Sequence, residues 1–259
     1  TELDKFILMR WLPVAQIGAY NRPAGFITSV ITKVTDIYEK VLFPILSSFK
    51  DDKVKVCNFF LKSLSLVSWF GFTLTMIFVL GAPILIDIFF GADWSWLITI
   101  FRILSISVVF LICSSLCECY FRSLGLVKAY FYVRLAACIV TLICVYVGAH
   151  YGILGVAIGV LVSRIFDSFI KLIYIASKTS ASILNVTKSM LSSTWITMLI
   201  AIIGFIVAQK FDYGEYIGIF VFGVMFILLF FYAPKVFGQD VFENIYLVAK
   251  NKIKTIKRA

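Results

Sequence analysis

Lys33, Asp36 and Lys40 stand at i, i+3 and i+7, so a helix through them carries all three on one face, with Glu39 at its flank. Arg164, Asp167 and Lys171 repeat that spacing later in the chain. Both sets lie inside apolar runs long enough to cross a bilayer, where a centrally placed charge costs about 2.5–3.5 kcal/mol on insertion scales. At about 1.5 Å per residue from the outer end, Lys33 lies about 14 Å deep and Arg164 about 20 Å. Two uses of such a face are open. Lys33 with Asp36, or Asp36 with Lys40, can form intrahelical ion pairs that lower the cost of insertion. Alternatively, the face lines a water-filled cavity that accommodates ions or a charged substrate. Lys171 is close enough to the inner boundary to snorkel. Arg102, about 9 Å into its own span, suits either interface anchoring or ligand contact. Lys33, Asp36, Lys40, Arg102, Arg164 and Asp167 are therefore the candidate cavity residues.

Other polar groups read more simply. Glu118 and Arg122 have the spacing of a local i, i+4 pair at the inner boundary. Asp87 and Asp93 flank Gly91 beside Trp94 and Trp96, a pattern that suits an interfacial turn with belt tryptophans. Gly155, Gly159 and Ser163 form a small-xxx-small series that lets another helix approach closely. His150 is the single histidine and sits at a turn. The six cysteines fall in or beside apolar segments without paired zinc-site spacing and read as reduced packing residues, so neither metal nor cofactor is expected. HExxH, GxSxG and GxxxxGK[ST] are all missing from the sequence. An enzyme is not expected.

The elements that must position these residues follow from composition. Apolar residues make up 61% of the 259, aromatics 17% and charged residues only 15%, and the mean hydropathy is +1.00. That much apolar surface cannot close around one water-facing core, so lipid is the main solvent and the fold class is an all-α polytopic transmembrane bundle of seven to eight spans. Apolar runs predict spans near 24–48, 64–90, 96–121, 129–149, 151–176, 190–208 and 215–233. Residues 1–22 read as the end of a preceding membrane helix and an outer turn, 23–176 as one lobe, 190–233 as two additional spans, and 234–259 as a basic tail. The net charge of +10 does not mark a nucleic-acid surface, because the basic residues lie between apolar runs. Alternate connections differ sharply in Lys and Arg, which predicts that the turns near Gly91–Asp93, His150–Tyr151 and 209–215 face outward and that the C-terminus is cytoplasmic. Those outer turns are short, unlike the large external loops expected of a polysaccharide polymerase or ligase. The chain opens on Thr1 rather than Met and is expected to be part of a longer protein.

Several local patterns carry a family likeness. They are Asp4-Lys5-Phe6-Ile7, Ile17 to Arg22, the Val41 to Ser47 helix end with Asp51-Asp52, Ala82-Pro83 ahead of Phe90-Gly91-Ala92-Asp93-Trp94, Ser123-Leu124-Gly125, and Tyr151 to Ala157. In order and spacing the chain resembles the Wzx-like polysaccharide flippases, of the superfamily that also holds the MATE exporters. The resemblance implies a second lobe plus two C-terminal helices, with the N-terminal half of the same transporter as partner. It further implies a bacterial inner membrane location and the flipping of an undecaprenyl-pyrophosphate-linked oligosaccharide for O-antigen, capsule or exopolysaccharide assembly. Polysaccharide polymerase and chain-length proteins are the implied neighbours. The charged face of 24–48 is denser than the family pattern. The alternative is a MATE-like exporter of small cations, coupled to Na⁺ or H⁺ through Asp36 or Asp167; the excess of basic groups at depth weighs against it.

Overall fold

The structure is a computed structural model that describes residues 13–48 and 51–191, together with Arg10, Trp195 and Gly223. Within them the chain forms α1 (Val14–Ser48), α2 (Lys53–Phe90), a short 3₁₀ turn (Ala92–Trp94), α3 (Leu97–Ile106), α4 (Val108–Ser123), α5 (Val127–Ala149) and α6 (Gly152–Thr179), followed by helical residues at 183–191. Among the described residues, four stretches are long and apolar enough to cross a membrane: Lys53–Phe90, Leu97–Ser123, Val127–Ala149 and Gly152–Thr179. The expected all-α polytopic bundle is borne out. The spans predicted at 190–208 and 215–233, and the tail, lie outside the described residues.

Two helix boundaries differ from the sequence reading. Residues 14–22 are not an outer turn: α1 runs unbroken from Val14 through Pro23 and Pro44, for 35 residues. Proline ends a helix less reliably when the rest of the helix is held by packing, and Ile17, Ala19, Tyr20, Ile27 and Ile31 are all buried against the bundle. The span predicted to start at 64 begins at Lys53, because Asp52 caps α2 by accepting a hydrogen bond from the Lys55 backbone N–H at 3.1 Å. Its first turns carry Lys53, Lys55 and Lys62 and then give way to apolar sequence.

The span read as continuous over 96–121 is broken at Ser107. There the Ser107 hydroxyl donates back to the Leu104 carbonyl at 2.5 Å, competing with the regular ladder. α3 and α4 form the centre of the bundle. Val108, Ile112, Cys113, Leu116, Cys117, Tyr120 and Phe121 are all at most 1% exposed. α1, α2 and α6 pack around this centre. α5 lies at the periphery and turns Phe131, Tyr132, Leu135, Ile139 and Ile143 outward, an apolar face suited to lipid.

α5 and α6 close on each other through glycine. A Cβ at Gly155 would collide with the Gly148 carbonyl, and one at Gly159 with the Cys144 carbonyl. The small-residue series predicted to admit a neighbouring helix does so, and Ser163 at its end is buried.

Candidate functional site

Two polar arrangements interrupt the apolar bundle, one on α1 and one between α4 and α6.

On α1 the buried residues include Tyr20, Ile27, Ile31, Thr35, Leu42 and Leu46, at near-heptad spacing. The orientation is locked at the inner half. The Tyr38 hydroxyl donates to the Ile112 carbonyl of α4 at 3.2 Å, and the Glu39 carboxylate meets the Arg122 guanidinium at 2.6 Å. With that side turned in, Lys33, Asp36 and Lys40 are exposed. The periodicity of about 100° per residue adds Arg22 and Ser29 to the same face, so the stripe runs most of the helix length. Among the described residues Lys33, Asp36 and Lys40 have no ion-pair partner, so the intrahelical pairs are not formed. A helix of 35 residues extends about 50 Å, but α1, predicted to span the membrane over 24–48, is not among the four stretches apolar enough to cross one, because this stripe dilutes its apolar sequence.

Between α4 and α6 the same spacing has the opposite fate. Lys171 is fully buried rather than snorkelling, and its ammonium donates to Glu118 Oε1 at 2.6 Å, Asp167 Oδ2 at 2.7 Å and Ser114 Oγ at 2.8 Å. That uses all three of its protons. Ser114 in turn donates to Asp167 Oδ2 at 2.7 Å. About two turns further along, Arg164 Nη1 donates to the Ser107 hydroxyl at 2.7 Å, at the break between α3 and α4. Both Ser107–Arg164 and Ser114–Lys171 join residues 57 apart, so the helices run parallel with a polar seam between them. Ser107, Ser114 and Glu118 supply one side of it, Arg164, Asp167 and Lys171 the other. The seam continues past α4 to α5, where Arg134 reaches Glu118 Oε1 at 3.4 Å.

This seam opens into a cleft of about 320 Å³, walled by Thr28, Arg134, Thr141, Ser163, Arg164 and Asp167. Asp167 Oδ1 is buried at its edge with no hydrogen-bond partner. A guanidinium has five N–H donors, so Arg134 keeps donors beyond its bond to Glu118.

The remaining candidate, Arg102, sits apart from both arrangements. Pro83 has no N–H, so the Val79 carbonyl four residues earlier loses its helical partner, and Arg102 Nε donates to that carbonyl at 3.3 Å. Arg102 thus repairs a proline gap in α2. Glu118 and Arg122 do not pair by their side chains as expected: Glu118 holds Lys171, and Arg122 holds Glu39. Cys113, Cys117 and Cys119 are buried, whereas Cys57, Cys138 and Cys144 are half-exposed, and all six are free thiols. His150 is an exposed turn residue, its Nδ1 3.0 Å from the Tyr146 carbonyl. Sequence reasoning missed Ser114, Glu118, Glu39 and Arg134 as partners, although Ser107, Ser114 and Glu118 at spacings of seven and four mark one helical face in an otherwise apolar span.

Residues 1–98, which contain α1, α2 and the 3₁₀ turn, match the family described as polysaccharide biosynthesis protein. The chain is similar to proteins of polysaccharide synthesis. A relative in Klebsiella pneumoniae, an uncharacterised membrane protein in the cps region, is 28% identical over 101 residues, which cover 39% of this chain. The matched stretch spans only 21% of that relative's length. No solved structure matches the chain. The likeness read from the motifs agrees with both matches, and the four apolar helices make this a multi-pass membrane protein.

Proposed function

We propose that the chain is one lobe of a transporter that flips lipid-linked oligosaccharide, an undecaprenyl-pyrophosphate-linked repeat unit, from the cytoplasmic to the outer leaflet by alternating access. The observation that carries this reading is the Arg22–Ser29–Lys33–Asp36–Lys40 stripe, turned away from the core of an apolar bundle in the region that is similar to polysaccharide biosynthesis proteins. Such a face is costly against lipid. It is stable where water fills the space between this lobe and the rest of the transporter.

A pyrophosphate cannot enter hydrocarbon without replacing its hydration shell. Lys33 and Lys40 supply ammonium donors along the path, and Asp36 between them weakens the hold enough for release. Arg134 and Arg164 wall the cleft beside the stripe and suit bidentate contact with phosphate oxygens. Rocking of one rigid helical lobe against the other would expose the path to each side in turn. The polar seam between α4 and α6 keeps this lobe rigid during the motion.

The test is to delete the full-length gene, profile surface glycan and lipid-linked intermediates, and complement with wild type or Lys33→Ala. The proposal expects surface glycan to disappear on deletion, with repeat units trapped on the cytoplasmic side, and expects the variant to fail at normal protein level. Intact surface glycan after deletion overturns it, and altered export of small cations in that strain would select the MATE-like alternative.

A further inference from the structure

At the end of the bundle that the basic-residue bias predicts to face outward, the chain builds a groove of about 430 Å³ whose lining includes Gln16, Asp93, Trp94 and Trp96. The groove is made by a rigid turn. Gly91 takes φ +91, and its N–H bonds the Asp87 and Ile86 carbonyls, which ends α2 sharply and throws residues 92–96 across the top of α1. Trp94 and Trp96 stack with ring centroids 6.1 Å apart and 28° between planes. The Arg22 guanidinium lies 4.4 Å from the centroid of the Trp94 ring and fixes it further. Trp96 remains 49% exposed. The Asp93 carboxylate and the Gln16 side-chain amide are exposed, and among the described residues neither has a side-chain partner.

Belt tryptophans need only an apolar body and a wet edge. This pair has more: a fixed aromatic surface, two unengaged hydrogen-bonding groups beside it, and a volume within the roughly 300–1,000 Å³ of small-molecule sites. Arg22 is also the head of the polar stripe on α1, so the groove is continuous with the path assigned above. A pyranose ring matches it chemically. Its C–H face is weakly positive and lies well on the negative face of an indole, while its hydroxyls donate to a carboxylate and accept from an amide.

We propose that Gln16, Asp93, Trp94 and Trp96 form a carbohydrate platform that takes a sugar ring of the glycan as it leaves the path. This rests on the transporter reading and adds to it a sugar site remote from the pyrophosphate.

The experiment places Trp96→Tyr, Trp96→Leu and Asp93→Ala in the full-length transporter, in the deletion strain, and measures surface glycan against immunoblotted protein in the membrane. Trp96→Tyr keeps an aromatic face and is expected to export like wild type. Trp96→Leu keeps apolarity but not the stacking face, and is expected to lower export about fivefold, the factor that about 1 kcal/mol of lost stacking gives. Asp93→Ala lies on an exposed turn, leaves the bundle intact and is expected to lower export at unchanged protein level; it decides the matter alone if Trp96→Leu is not recovered in the membrane. Export by Trp96→Leu equal to that of Trp96→Tyr, or wild-type export by Asp93→Ala, overturns the platform. If deletion itself leaves surface glycan intact, the transporter reading falls instead, so the two failures are distinguishable.

Discussion

Two helices carry basic, acidic and basic residues at i, i+3 and i+7, and the structure treats them oppositely. Arg164, Asp167 and Lys171 face α4, where Ser114 and Glu118 join Asp167 in consuming the Lys171 protons and Ser107 takes Arg164. Lys33, Asp36 and Lys40 face away, because Tyr38 and Glu39 on the other side of the same helix are tied to Ile112 and Arg122. The same sequence pattern therefore serves structure in one place and solvation in the other. What separates them is the neighbouring helix. α4 offers a serine, a serine and a glutamate at matching height; nothing comparable faces the α1 stripe among the described residues.

The comparison predicts its largest effect at Lys171. Replacing it by Met leaves the Asp167 and Glu118 carboxylates in the seam without their shared cation, and breaking a buried pair in this way costs about 3–5 kcal/mol. The purified chain in detergent is expected to melt well below wild type, and Lys171→Met combined with Asp167→Asn to recover part of the loss. A melting temperature for Lys171→Met equal to that of wild type would break the distinction between the two faces.

Next in size is the glycine contact that sets α6 against α5. Gly159→Leu places side-chain atoms where the Cys144 carbonyl lies, and since that atom is backbone the helices must separate. Overpacking of this kind typically costs about 1–3 kcal/mol. The same change at Gly25, on the exposed face of α1 with open space around it, is expected to leave the melting temperature nearly unchanged. The pair sharpens the comparison, because it asks of sterics what Lys171 and Lys33 ask of charge.

How far the sequence reveals this difference can be argued from particular residues. Periodicity identifies which side chains share a helical face, and both charged faces are visible that way. It does not say what a face meets. Lys171 reads as a snorkelling residue because its depth alone is visible, whereas its burial depends on Glu118, 53 positions away. Arg102 reads as an anchor or a ligand contact for the same reason; its partner is a carbonyl freed by Pro83 on another helix. The four membrane-length stretches, the glycine series and the break at Gly91 were legible because each is a local property of composition or backbone. The α1 start was not, since residues 14–22 read as part of a turn, whereas Ile17, Ala19 and Tyr20 are buried and the helix runs through them.

Arg102 and Pro83 give a smaller test of the same lesson, on the hydrogen bond to the Val79 carbonyl. Arg102→Ala is expected to cost about 1 kcal/mol, since the Val79 carbonyl is then left unpaired in an apolar helix. In a Pro83→Ala background the restored N–H satisfies that carbonyl, so the same change is expected to cost much less. A double-mutant cycle on detergent-solubilised protein measures the coupling. Additive costs would show that Arg102 acts elsewhere.

The smallest effects are expected at the charges that face water. The ion pair of Lys55 with Asp52, at 3.1 Å, is open to solvent on both sides and serves as the reference point for the stripe on α1. The Asp52 carboxyl is held below its ordinary value, first by the Lys55 backbone N–H and then by the Lys55 side chain. A carboxylate whose folded value is depressed contributes stability that is present above its unfolded value and lost as pH falls through the folded one. Melting followed downward from neutral pH is therefore expected to show a slight loss in the acid range that Asp52→Asn removes. Lys33→Ala is expected to change melting at neutral pH no more than Asp52→Asn does, while it abolishes glycan export. Should Lys33→Ala instead destabilise as Lys171→Met does, the α1 stripe is held by a buried partner, and the contrast between a solvated face and a structural one collapses.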